Sequence, residues 1–374
     1  MVEEPQKTKR KSAEAAKIDE LSKEYAKTKY NKATDKYLGI LRAKIARLKK
    51  AMSEGRKQKG SGYAVKKVGD ATVAIVGPPN VGKSSLIAGI TNAESKVADY
   101  AFTTLDVIPG MLLHNGAQIQ LLDLPGLIEG MHIGRGAGRK VASVIRVSDL
   151  VMFVVDNATY KVLPRMIEEL EDLGIMVNKR MKKISVEQMP GGGVVVEYNS
   201  KIAPGKAEIK EVLGSMGIYN AKVTFFEDAT AEDLVDVISN SNVYIRGIAV
   251  LNKIDKMTSD EISSAKEEIK KTTGMEPICI SVADRSNLGA LKDAIFSALK
   301  IIRIFLKPKD ALPDTDKPVI VKEGSTVIDV AKKVNERKAQ ELRFAYVQGK
   351  SVKFETRVGK DHVLADGDIV TFVY

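Results

Sequence analysis

Apolar positions along the chain follow two periods, and the changes between them mark its organisation. Residues 1–13 are polar and lysine-rich, which predicts an unordered start. From Ile18 to about Tyr30 the pattern is helical and charged. Thr34 is placed to cap a second helix, in which Leu38, Leu41, Ile45 and Leu48 recur at three- and four-residue spacing. Lys44, Arg47, Lys49 and Lys50 fall on its other faces, and the Gly/Lys-rich stretch Gly55–Gly62 follows. Residues 1–62 therefore read as a basic helical hairpin and linker.

From Ala71 the period changes. Short apolar, β-branched runs at Ala71–Val76, Gln118–Asp123, Leu150–Asp156, Gly247–Leu251 and Pro277–Val282 read as buried strands. Helical stretches lie between them, at Lys83–Asn92, Arg139–Val147, Ser259–Thr273 and Leu288–Ile301. Such alternation predicts an α/β fold over residues 63–302: a doubly wound, mostly parallel sheet covered on both faces. Between Asp156 and the strand ending at Leu251 that fold needs one helix, which Pro164–Leu173 supplies. Residues 175–243 are left over and read as a small α+β insertion. Its expected parts are a hairpin (Ile184–Gln188 and Val194–Tyr198, turning at Gly191-Gly192-Gly193), a helix at Gly205–Met216, a strand at Lys222–Phe226 and a helix capped by Thr230. After Arg303, Pro308, Pro313 and Pro318 lead into β-α-β-β character, a compact module over residues 303–374.

Composition adds a charge asymmetry. Of the 59 Lys and Arg, 18 fall in residues 1–60 against 8 Asp and Glu, while the remaining 314 residues hold 41 basic and 40 acidic side chains. Nearly all of the net +11 thus sits in the first sixth of the chain, a footprint suited to a polyanion such as RNA. Tyr25, Tyr30 and Tyr37 are the only aromatics there, and the same charge would also serve a solvated helical tail. With 44% hydrophobic residues a sizeable core is affordable, yet no apolar run is long enough for a membrane span. The charged N-terminus lacks a signal-peptide core, and the single cysteine, Cys279, fits a reducing cytoplasm. His114, His132 and His362 are scattered, away from zinc-site spacing.

The candidate chemistry lies at the ends of the expected strands. Gly77-Pro78-Pro79-Asn80-Val81-Gly82-Lys83-Ser84 follows a strand and opens a helix, matching G-x-x-x-x-G-K-[ST] in its required context, with Ser85 next to it. Glycines let backbone N–H groups wrap a β-phosphate, and the helix N-terminus adds its positive end. Lys83 is placed for the β- and γ-phosphates and the Ser84 hydroxyl for Mg²⁺. Asp123-Leu124-Pro125-Gly126 closes a later strand: Asp123 for Mg²⁺ through water, and the Gly126 N–H for the γ-phosphate. Between them, Thr104, with Thr103 as the alternate, would complete the metal shell. Asn252-Lys253-Ile254-Asp255 follows another strand. The Asp255 carboxylate would accept from N1 and the exocyclic amine of guanine, a donor pair adenine lacks. Asn252 and Lys253 would brace that pocket, and Ser281-Val282-Ala283 would offer a backbone contact to the guanine oxygen. Leu127 stands where many signalling GTPases carry a water-orienting glutamine, which predicts slow intrinsic hydrolysis. Asn80 is either a turn residue or a ligand that helps hold potassium beside the phosphates. Gly130–Arg139 is glycine-rich and basic, with Arg135 and Arg139 available to phosphates or a partner.

These blocks resemble the developmentally regulated GTP-binding proteins, within the Obg-like branch of P-loop GTPases. Thr28–Thr34 with Leu38-Gly39 is similar to the family's N-terminal helical signature; Gly69–Ala74, Tyr100–Leu105, Leu121–Gly130 and Asn252–Asp255 are similar to its G-domain blocks. The insertion resembles a ribosomal-protein-like subdomain. Val358-Gly-Lys-Asp361-His362 and Asp366-Gly367-Asp368 resemble a TGS domain, a β-grasp module. The resemblance implies GTP hydrolysis with Mg²⁺, ribosome association and, in eukaryotic relatives, a dedicated stabilising partner protein. The Lys/Glu richness and short tails would suit an archaeal member. Two other readings stay open: a nucleotide-gated scaffold on RNA or the ribosome, in which hydrolysis is incidental, and an ATPase relative, against which Asp255 argues.

Overall fold

The computed structural model describes residues 17–18, 20–25, 27–28, 34, 37–45, 67–91, 108–124, 137–308 and 312–374. Thr103, Thr104, Pro125, Gly126, Leu127, Leu48 and residues 29–33 and 130–136 lie outside them. The chain divides into two compact units, one joining the N-terminal segment to residues 179–244, the other made of residues 63–178 and 245–374.

In the larger unit the strands β1 (Ala71–Val76), β2 (Ile108–His114), β3 (Ala117–Asp123), β4 (Leu150–Val155) and β5 (Ile175–Val177) are followed, beyond β6 (Ile184–Gln188), β7 (Val194–Tyr198) and β8 (Ala221–Phe225) of the other unit, by β9 (Val243–Leu251) and β10 (Ile278–Cys279). The sheet order is β10-β9-β4-β1-β3-β2, with β5 paired to β9. All neighbours from β10 to β3 are parallel, and β2 is antiparallel to β3. Both faces are buried, which is why the strands read as unbroken apolar runs. Alternate residues of β1 and β4 go to opposite layers: Ala74, Val76, Val151, Phe153 and Val155 pack with the helices Ala137–Val147, Leu163–Asp172 and Ser259–Thr273. Val73, Ile75, Leu150, Met152 and Val154 pack with Lys83–Ile90 and Leu288–Leu299.

Several elements differ from the sequence expectation. β2 escaped it, because Pro109 and Gly110 interrupt its apolar pattern. The glycine is required by packing, since a Cβ there would come within 2.5 Å of Ile87 Cγ2. Asn115 and Gly116, both at positive φ, make the tight β2–β3 turn. Residues 175–177, assigned by pattern to the insertion, form β5 of the main sheet. The helix Leu288–Leu299 stops there and Lys300 turns left-handed (φ 51°), so Ile301 opens a strand rather than closing the helix. That strand, β11 (Ile301–Leu306), joins β12 (Asp314–Lys322), β13 (Phe344–Gln348), β14 (Thr356–Val358) and β15 (Ile369–Val373) in a sheet ordered β12-β11-β15-β13-β14. The helix Val327–Val334 packs on it through Val327, Val330 and Ala331.

In the smaller unit β6, β8 and β7 form a sheet in that order. β6 and β7 are not a hairpin: β8 lies between them, antiparallel to β6 and parallel to β7. Helices Lys206–Ser215 and Ala231–Ser239 cover one face over Val223 and Phe225, and Thr230 caps the second of them in a reciprocal box with Asp233. The N-terminal helix over residues 37–45 packs here, with Leu38, Leu41, Ala43 and Ile45 buried. Arg42 pairs with Glu232 at 2.8 Å and Asp236 at 3.1 Å, and the Tyr25 hydroxyl donates to Glu232 at 2.7 Å. Burial pushes the Asp236 carboxyl up to about 6, against the pull of Arg42. Its folded value lies above its unfolded one, so its contribution to stability is complete below about pH 4 and is lost as pH rises through about 6. Hydrogen exchange across residues 206–239 should therefore show the wild type losing protection relative to Asp236→Asn over that range. Parallel pH curves for the two proteins would contradict this.

Candidate functional site

The phosphate loop connects the C-terminal end of buried β1 to the helix Lys83–Ile90. Two glycines are dictated by space. A Cβ on Gly77 would lie 2.1 Å from the carbonyl oxygen of Val154, and one on Gly82 would lie 2.7 Å from Asn252 Nδ2. Gly82 also sits at φ 92° and Asn80 at φ 61°, so the loop folds through two left-handed positions. Pro78 and Val81 point inward, and Pro79 and Asn80 are exposed. The Lys83 ammonium donates to the carbonyls of Gly77 (3.0 Å) and Pro78 (2.9 Å), holding it over the loop. Asn80, Gly82, Lys83, Ser84, Ser85, Asp123 and Leu124 line a cavity of about 440 Å³. Its floor includes a direct contact: the Ser84 hydroxyl donates to Asp123 Oδ2 at 2.6 Å. Ser84 lies in the first turn of the helix that follows β1 and Asp123 closes β3; they meet because β1 and β3 are parallel neighbours with Ile75 opposite Asp123.

The tetrapeptide 252–255 follows β9, two strands away from β1 with β4 between. Asn252 is buried; its Nδ2 donates to the Val81 carbonyl at 2.8 Å and its Oδ1 accepts from the Val282 N–H at 3.4 Å. One side chain thus ties the phosphate loop to the segment after β10. Lys253 takes a left-handed backbone (φ 63°), and its ammonium donates to the Asn80 carbonyl and to Asp156 Oδ2 at 2.7 Å. Asp255 is exposed at the edge of the site, where Ser281 Oγ donates to its Oδ1 at 2.7 Å and accepts from the Asp284 N–H at 3.1 Å. Ser281 is itself buried, so its hydroxyl orients the carboxylate. Val282 is half-buried and Ala283 exposed.

The structure therefore brings together the phosphate-loop residues, Asp123, Asn252, Lys253, Asp255 and Ser281. Thr104 and Gly126 are outside the described residues, as is Leu127. Asp156 is the participant that sequence reasoning missed. A single carboxylate ending a strand carries no motif, and its role appears only through Lys253. Burial opposes its ionisation, but the hydrogen bonds from Lys253 and Thr159 and the charge of Lys253 outweigh that and hold the carboxyl below the usual range. Cys279 is half-buried against the core, as a small apolar residue would be.

Gly82 offers a direct test of this packing. Gly82→Ala adds a Cβ at φ 92° against Asn252 Nδ2, so the loop or the asparagine must move. It should cost roughly 1–3 kcal/mol of stability and loosen the hold of the loop on a bound phosphate group. Thermal unfolding and nucleotide dissociation check this, and an unchanged dissociation rate would contradict it.

Comparison with known proteins places the chain. A family model described as 50S ribosome-binding GTPase matches residues 72–186, a model of that domain's C-terminal region matches 191–301, and a TGS domain model matches 302–374. An uncharacterized GTP-binding protein of Methanocaldococcus jannaschii is 41% identical over 95% of this chain and 92% of its own length. Developmentally-regulated GTP-binding protein 1 of Xenopus laevis is 39% identical over 97% of this chain and 99% of its own. Developmentally-regulated GTP-binding protein 2 of Mus musculus is 36% identical over 96% and 98%. The phosphate loop, the Asn252–Asp255 tetrapeptide and the C-terminal TGS domain thus occur together in an α/β chain that is a GTP-binding member of the developmentally regulated GTP-binding protein family of Obg-like P-loop GTPases.

Proposed function

We propose that the chain is a GTP-hydrolysing switch that acts on the ribosome, slow by itself and accelerated there. The observation that carries the switch is the physical linkage of its two recognition loops: Asn252 and Lys253 bond directly to the backbone of the phosphate loop. GTP would lie with its phosphates over Gly77–Ser84 and its base against Asp255. Lys83 would leave its loop carbonyls for the β- and γ-phosphate oxygens. P-loop GTPases generally use Mg²⁺ with GTP, and the donor set here fits that ion: a hydroxyl and a carboxylate, Ser84 and Asp123, side by side at 2.6 Å. Bound there, Mg²⁺ supplies charge neutralisation for the transferring phosphoryl group. Thr104 would add a further oxygen and the Gly126 N–H would sense the γ-phosphate, so that both segments rearrange when it leaves.

Slow turnover follows from Leu127, which cannot orient a water. Asn80 lines the cavity beside Lys83, where potassium held by it would supply the missing electrostatic stabilisation. Ribosome association is supported by the basic N-terminal segment, by the TGS domain and by the description of the matching family. Among the described residues no helix is long and apolar enough to cross a membrane.

The test is co-sedimentation with ribosomes, loaded with GDP or a non-hydrolysable GTP analogue, at rising salt, together with turnover in potassium and in sodium. Nucleotide-dependent binding that weakens steeply with salt, and turnover raised by ribosomes, are expected. Absence of ribosome binding with either nucleotide would overturn the partner. Turnover unchanged by ribosomes and by potassium would overturn the proposed acceleration.

A further inference from the structure

We infer that Asp156, which belongs to none of the nucleotide-binding motifs, is a positioning residue that fixes guanine recognition to phosphate binding. It would do so by holding Lys253 across the two loops. The inference rests on the nucleotide occupying the cleft described above. Its basis is topological and chemical. The phosphate loop leaves β1 and the guanine-reading loop leaves β9, and β4, which ends next to Asp156, is the strand between them. β4 is bonded in register to both, with Val76 opposite Phe153 on one side and Leu251 opposite Val155 on the other. A carboxylate at that strand's end sits between the two loops that one nucleotide must span.

The carboxylate is prepared for this task. Thr159 Oγ1 donates to its Oδ1 at 2.8 Å, leaving Oδ2 for Lys253 at 2.7 Å. Its backbone is held as well: the Asp156 N–H donates to Thr159 Oγ1 at 3.0 Å, and its carbonyl accepts from the N–H groups of Thr159 (3.0 Å) and Tyr160 (2.9 Å). The side chain is only 13% exposed and that of Lys253 34%, so the pair is partly shielded from water.

Lys253 needs such an anchor. Both it and Asn80, whose carbonyl its ammonium also reaches, sit in the left-handed region that non-glycine residues enter only when their surroundings compel it. The Lys253 backbone is fixed from behind, since the Ile254 N–H donates to the Ile280 carbonyl and the Lys256 N–H to that of Lys253. What remains free is the long side chain, with four rotatable bonds whose ordering costs entropy. The Asp156 charge pays that cost before a nucleotide arrives. The ammonium then stays on the Asn80 carbonyl and the aliphatic stem keeps one course between the loops. Without the carboxylate the ammonium would be drawn to solvent and the phosphate loop would lose a strut. Affinity would fall for GDP and GTP together, because the strut touches neither the γ-phosphate nor the metal-binding pair.

The test is a double-mutant cycle on the full-length chain: wild type, Asp156→Asn, Lys253→Met and the double variant. GDP and GTP dissociation rates are read with a fluorescent analogue, and thermal unfolding is read without nucleotide. Asp156→Asn should raise both rates about tenfold and by the same factor, with little change in unfolding temperature. Lys253→Met should do the same or more, and the double variant should equal Lys253→Met, since Asp156 acts only through Lys253. Three results would overturn the inference: unchanged rates in Asp156→Asn, a double variant whose effect is the product of the two singles, or a loss of unfolding temperature large enough to account for the faster release. Failure of the wild type to bind guanine nucleotides would instead overturn the reading of the site itself.

Discussion

Asp255→Asn should lower GTP affinity on the order of 10³-fold and create affinity for XTP. In the proposed site the carboxylate would accept from two donors on guanine, and its geometry is set by the buried Ser281 hydroxyl on Oδ1. An amide keeps the acceptor that Ser281 supports but turns the other position into a donor. That donor faces the guanine amine unproductively and the xanthine carbonyl productively. The edge of the site is open to water, so the penalty falls short of what a fully dry pocket would give. Competition binding with GTP, XTP and ATP measures it. Unaltered preference would mean that the base lies elsewhere.

Lys83→Ala should reduce single-turnover GTP hydrolysis by roughly 10²–10³-fold. The ammonium rests on the carbonyls of Gly77 and Pro78, which places it over the cradle where a β–γ bridge oxygen would lie. Charge accumulating there during phosphoryl transfer would be left without its cation. The apolar positions Leu86, Ile87 and Ile90 that dock the helix do not involve Lys83, so the fold should survive the substitution. A variant that unfolds at the wild-type temperature and hydrolyses GTP at the wild-type rate would remove Lys83 from the chemistry.

Which features the sequence disclosed follows from how local their causes are. Gly77, Gly82, Lys83 and Ser84 are set by the geometry of one loop, so their spacing is legible without any knowledge of the rest of the fold. The β1 and β4 runs were legible because burial on two faces leaves no polar position within them. Pairing was less legible. Gly191-Gly192-Gly193 has the chemistry of a turn, yet β6 and β7 each find their partner in β8, more than twenty residues further on. β5 is three residues long, too short to announce a period, and its membership of the main sheet comes from β9. Lys300 gave no helix-stop signal because its left-handed turn is imposed by the start of β11. Asp156 shows the same limit at the site: its meaning depends on Lys253, which arrives from another strand.

If GTP is recognised and hydrolysed through the linked loops of the 77–84 and 252–255 segments, single-turnover assays with γ-labelled GTP and ATP, protein in excess, in Mg²⁺ and potassium, should show slow conversion of GTP to GDP. ATP should not be converted, and added ATP should not slow GTP hydrolysis. Hydrolysis of ATP at a comparable rate, or equal competition by ATP, would contradict that reading.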